Sequence, residues 1–100
     1  MGAEPLTNTT EPLTRDVLIN NRRGLHARAS AKFAKMSGGF DARIEVCKDD
    51  MCVVGTSIMG LMMLGAAKGE TIGVSASGVD AKEALEQLCS LVDGLFGEDE

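Results

Sequence analysis

The hydrophobic run in RDVLIN, Arg15–Asn20, has the β-branched content of a short strand and puts Val17 and Ile19 on one face. RRG then breaks the pattern, and Gly24 can take a positive φ at the turn. From His26, HARASAKFAKMSGG is rich in helix formers and sets Leu25, Ala29, Phe33 and Met36 on one stripe. The helix it predicts stops at Gly38 and Gly39. Phe40, Ala42, Ile44 and Val46 next alternate with Asp41, Arg43, Glu45 and Cys47, as in a strand with one wet face. KDDM turns that strand into CVVG, a hairpin. Ser57 stands where it can cap the short apolar helix IMGLMML, which Gly65 and the KGE at Lys68 bring to an end. TIGVSAS alternates Ile72, Val74 and Ala76 with small polar groups, another strand. In the last helix Asp80 caps, Glu83 follows three positions on, and Ala84, Leu85, Leu88, Leu91, Val92 and Leu95 form a wide apolar stripe.

Strands with one apolar face and helices with one apolar stripe bury each other in two layers, so the order predicts an α+β open-faced sandwich. Four antiparallel strands carry three helices on one face, and the other face is left to water. Residues 15–96 form one domain. Met1–Thr14, with both prolines and few core-forming side chains, reads as a disordered leader, and residues 97–100 as a frayed acidic tail.

Composition narrows the function classes. No stretch has the start of a signal peptide or the roughly 20 apolar residues of a membrane span, so the expectation is a cytoplasmic protein without membrane insertion. A formal net charge of −5 and only three aromatic residues, all Phe, argue against nucleic acid as a partner. Cys47, Cys52 and Cys89 have no zinc spacing, and a single histidine cannot complete the usual four-ligand set. Cys47 and Cys52 could face each other across the hairpin, but in a reducing compartment they read as packed thiols.

Against this acidic background, Arg22, Arg23, Arg28, Lys32 and Lys35 concentrate positive charge around His26. An anion is the natural partner for such a patch. If a helix starts at or just after His26, the amides of Ala27 and Arg28 have no partner within it, and with the helix dipole they form an anion site. The Arg28 guanidinium can add a two-point contact to phosphate. Neutral imidazole, with an unperturbed pKa of about 6.5, is also a nucleophile for phosphorus. No hydrolytic triad accompanies His26, and GTSIMG lacks the glycine spacing and terminal lysine of a nucleotide-binding loop. A lone histidine in an anion site, without machinery to activate ATP, suits a carrier charged by one protein and discharged by another. The competing accounts are a helix cap or a simple anion-binding domain in which the ring never becomes covalent.

GLHARAS, followed 31 positions after His26 by SIMGLMMLG, resembles the HPr phosphocarrier family of the bacterial phosphoenolpyruvate-dependent phosphotransferase system, from about Arg15 to Gly94. The resemblance implies that His26 accepts phosphate from enzyme I, on Nδ1 in that family, with Arg28 assisting and no cofactor. A downstream enzyme II A-type protein would then be the acceptor and the carrier a monomer. It also implies that Ser57 matches a regulatory serine, modified by an HPr serine kinase/phosphorylase in lineages that have one. Alanine at position 29 replaces the family's usual proline, giving up some pre-organisation of the first helical turn while keeping one more amide donor. The paired Arg22 and Arg23 and the HARAS wording look more like forms serving regulatory, nitrogen-related phosphorelays than sugar uptake.

Ser57 as a plain N-cap is a sufficient structural account, and capping does not exclude phosphorylation. A helix as short as IMGLMML cannot bury every side. At least one of Met59 and Met62, with Ile58 and Leu61, is therefore expected to form an adaptable docking patch near His26. Arg22 and Arg23 would steer acidic partner surfaces toward it. A regulatory module of the same fold that acts only by docking, switched at Ser57, is the alternative function.

Overall fold

The computed structural model describes residues 11–100. Strand β1 (Leu13–Leu18) is followed by helix α1 (Ala27–Ser37), strands β2 (Arg43–Lys48) and β3 (Met51–Val54), helix α2 (Ile58–Leu64), strand β4 (Thr71–Ser77) and helix α3 (Ala81–Asp93). The four strands form one antiparallel sheet in the order β1-β4-β2-β3. The predicted two-layer architecture is the one observed. β1 begins at Leu13, inside the stretch read as leader; the first ten residues of that stretch lie outside the described residues.

Alternation decides which way each strand faces. Ile44 and Val46 in β2 and Ile72, Val74 and Ala76 in β4 are buried, while Arg43, Glu45, Ser75 and Ser77 lie on the opposite face. The helices cover the apolar face. Phe33 of α1 and Leu88 of α3 are both fully buried, each stabilising the fold by roughly 1.5 to 3 kcal/mol relative to exposure. Phe96, just beyond α3, is buried as completely.

Three expectations need correction. Leu61 is 0% exposed and belongs to the core, because α2 turns that side toward the sheet and it cannot serve as a docking residue. Cys47 and Cys52 are not packed thiols: the β2–β3 register sets them directly opposite each other, with Cα atoms 4.0 Å apart, and they form a disulfide. Asp80 stands at the start of α3 but makes no side-chain cap there; its Oδ2 accepts the Asp41 amide at 2.7 Å and ties the helix start to the loop before β2. Cys89 does stay a thiol packed in the core, and burial pushes its pKa up. Among the described residues no helix is long and apolar enough to cross a membrane.

Candidate functional site

Between β1 and α1 the chain makes a tight turn that sets the entry to the helix. Asn21 is fully buried, and its Nδ2 donates to the Gly24 carbonyl at 2.9 Å. Gly24 has φ 65°, and an added Cβ would stand 2.4 Å from the Ala66 carbonyl oxygen. The next amide, Leu25 N–H, donates to that same oxygen at 2.9 Å, so the turn is pinned to the chain leading into β4. Leu25 is buried, and its carbonyl accepts the Ser30 hydroxyl at 3.2 Å. Gly24→Ala combines a left-handed residue with a backbone clash. It is expected to cost more than about 1 to 2 kcal/mol, seen as a fall in thermal midpoint of about 4 to 8 °C per kcal/mol. An unchanged midpoint would show that the turn yields freely.

This turn delivers His26 to the N-cap of α1, with extended backbone at φ −74° and ψ 179°. The amides of Ala27, Arg28 and Ala29 lie in the first turn, where a helix has no carbonyls to receive them. His26 satisfies one: its Nδ1 accepts the Arg28 amide at 3.2 Å. The Ser30 amide closes the first helical hydrogen bond onto the His26 carbonyl at 2.9 Å.

The other ring nitrogen, Nε2, is bonded to Oε2 of Glu98. A carboxylate only accepts, so Nε2 carries the proton, and the donor facing Nδ1 requires a lone pair there. The two contacts together select one neutral tautomer, with Nδ1 as the nucleophilic nitrogen at the positive end of α1. The pair is largely sheltered, the His26 side chain being 13% exposed and that of Glu98 17%. Partial burial pushes the Glu98 carboxyl up, but hydrogen bonds from Asn21 and His26 and the nearby Lys32 charge outweigh it and hold the group below its ordinary value.

The contact with Glu98 departs from the frayed tail expected of residues 97–100. Glu98 Oε1 also receives Asn21 Nδ2 at 3.0 Å, and Arg22 meets Glu100 at 3.4 Å on the exposed surface, a pair worth little in water. Arg22, Arg23, His26, Arg28 and the last three acidic residues line one cleft of about 420 Å³. The three arginines expected around the imidazole are thus gathered there. Lys32 is turned to another use, its Nζ donating to the Phe96 carbonyl at 2.7 Å, and Lys35 lies on a separate surface with Met36 and Leu91.

Ser57 occupies the N-cap of α2, where its Oγ accepts the Gly60 amide at 3.0 Å. Ile58, Met59 and Met62 are exposed by 43%, 71% and 42%, so both methionines and the isoleucine contribute to the expected patch. Met63, 64% exposed, extends it and was not anticipated; a seven-residue helix packed along one side leaves it in water. Asn21 and Glu98 were also missed as site residues. The asparagine three residues before a glycine was a turn signal open to use, whereas nothing local marked Glu98.

Residues 13–93 match the family model described as "PTS HPr component phosphorylation site". The chain is 48% identical over 88 residues to phosphocarrier protein HPr of Neisseria meningitidis, covering 88% of this chain and 99% of that protein. It is 42% identical over 86 residues to phosphocarrier protein NPr of Shewanella violacea, covering 86% of this chain and 94% of the relative. The crystal structure of HPr from Thermoanaerobacter tengcongensis superposes with a TM-score of 0.84 at 39% identity, over 88% of this chain and 99% of that one. With its open-faced sandwich and its single histidine at the start of α1, the chain belongs to the HPr family, the phosphocarriers of the phosphotransferase system.

Proposed function

We propose that the chain accepts a phosphoryl group on Nδ1 of His26 from enzyme I and passes it to a downstream enzyme II A-type protein. The observation that carries this reading is the pair of ring contacts: an amide donor on Nδ1 and a carboxylate on Nε2 leave the lone pair on Nδ1, at a helix N-terminus in a cleft with three arginines. In the phosphorylated form the Arg28 amide, freed from the ring, and its first-turn neighbours can donate to phosphate oxygens. Alanine at position 29 keeps an amide in this first turn, where proline would supply none. Once phosphorylated with Nε2–H retained, the ring leaves as neutral imidazole and gives the group up easily, as a carrier must.

The test is incubation with enzyme I and phosphoenolpyruvate, read by intact mass. One added phosphoryl group that is lost in acid and survives base supports the assignment. A protein that stays unmodified, or carries an acid-stable phosphate, refutes it. Its partners are expected to dock on Ile58, Met59 and Met62, with Arg22 and Arg23 steering acidic surfaces toward the cleft.

Ser57 is the regulatory position in this reading. Phosphorylation adds about −1.5 to −2 charges at pH 7, which the start of α2 tolerates. The charge lands beside an apolar patch that a partner must dehydrate, and burying an unpaired charge there is costly. Ser57→Asp retains a good N-cap, so its thermal midpoint is expected to match the wild type while KM for phosphorylation by enzyme I rises. Unchanged kinetics for the aspartate variant would leave Ser57 as a cap alone.

A further inference from the structure

The chain beyond α3 is built as a strap across the site. Gly94 ends the helix, its amide bonded to the Ser90 carbonyl at 2.9 Å, and Leu95, Phe96 and Gly97 then take φ values of 61°, 55° and 80°. Two consecutive non-glycine residues in the left-handed region are a conformation that an unattached tail would leave. Here it is held from several sides. The Phe96 ring is fully buried, Lys32 Nζ grips the Phe96 carbonyl at 2.7 Å, and the Glu98 amide donates to Leu95 at 2.9 Å. The next side chain is Glu98, and both of its carboxylate oxygens are engaged, one by buried Asn21 and the other by the His26 ring.

We propose that Glu98 is a positioning residue for phosphoryl transfer: it holds the Nε2 proton of His26, keeps the Nδ1 lone pair turned to the helix start, and stabilises the charge the ring gains on phosphorylation. The proposal rests on the phosphocarrier reading above. In the forward step the Nδ1 lone pair forms the N–P bond while the bond from phosphorus to the donor's leaving atom breaks, and that atom takes the electron pair. No proton leaves the ring, because the one on Nε2 was never on the attacking nitrogen. The imidazole becomes an imidazolium whose Nε2–H points at a carboxylate. On discharge the N–P electron pair returns to Nδ1 and the ring is neutral again. Arg22, Arg23 and Arg28 face the phosphate from the cleft and would otherwise disfavour a cationic ring; Glu98 offsets them locally. Asn21 plays the supporting part, fixing the carboxylate as it fixes the Gly24 turn.

Two variants separate the roles. Glu98→Gln can still accept from Nε2 through its amide oxygen but carries no charge; Glu98→Ala can do neither. The ring tautomer is read by ¹⁵N resonance in the unphosphorylated protein, which needs no phosphotransfer partner. The Nε2–H form is expected to dominate in the wild type and Glu98→Gln, and to give way to a mixture in Glu98→Ala. With enzyme I and phosphoenolpyruvate, kcat is expected to fall about tenfold or more in both variants, the loss of one charge-assisted contact, with KM unchanged. Wild-type kcat in both variants overturns the proposal, as does a tautomer in Glu98→Ala that matches the wild type. A wild-type protein that takes no acid-labile phosphate at all overturns the phosphocarrier reading itself, and that failure is seen in the control before any variant is compared.

Discussion

His26→Ala is expected to remain folded and to lose every trace of phosphoenolpyruvate-dependent phosphorylation. Alanine removes the side-chain cap on the Arg28 amide, a loss of about 1 kcal/mol in a typical helix, and the core stripe of Ala29, Phe33 and Ala34 is untouched. No other residue of the chain can replace the nucleophile, because it holds one histidine. Circular dichroism should therefore show a native fold, and intact mass after incubation with enzyme I should show no gain. An acid-labile phosphate on the alanine variant would sink the assignment.

Arg28→Ala is expected to slow phosphorylation by about tenfold or more without unfolding the protein, since a charge-assisted contact to phosphate contributes about 1.5 to 3 kcal/mol. The substitution isolates the guanidinium cleanly. What touches the imidazole in the resting protein is the Arg28 main-chain amide, which alanine keeps, so the ring stays oriented while the cleft loses one of its arginines. Arg28→Lys should recover part of the rate, because an ammonium restores charge without the planar two-point contact. Equal rates for wild type, alanine and lysine variants would assign the phosphate to the amides alone.

Legibility in the sequence followed the range of the interaction. Period-two alternation through Ile44, Val46, Ile72, Val74 and Ala76, and the helical stripe through Ala84, Leu85, Leu88 and Val92, are properties of a few adjacent residues, so the strands and helices that bury them could be read in order. The same holds for the Ser57 cap and the stop at Gly65, where one side chain or one left-handed backbone conformation decides the outcome locally. His26 could be singled out because it stands alone among arginines just before a predicted helix.

What lay beyond local pattern belonged to the tertiary structure. The side of a seven-residue helix that meets the sheet is settled by packing, and it put Leu61 in the core and Met63 in water. The hairpin in the sequence allowed Cys47 to face Cys52, but it was the strand register, setting their Cα atoms 4.0 Å apart, that joined them in a disulfide rather than leaving packed thiols. Most of all, Glu98 reaches His26 across 72 positions of sequence, carried there by the buried Phe96 and a left-handed turn. In the linear chain it is one more charge in an acidic tail, and only burial of an aromatic side chain some two residues before it gives that charge a fixed address on the imidazole.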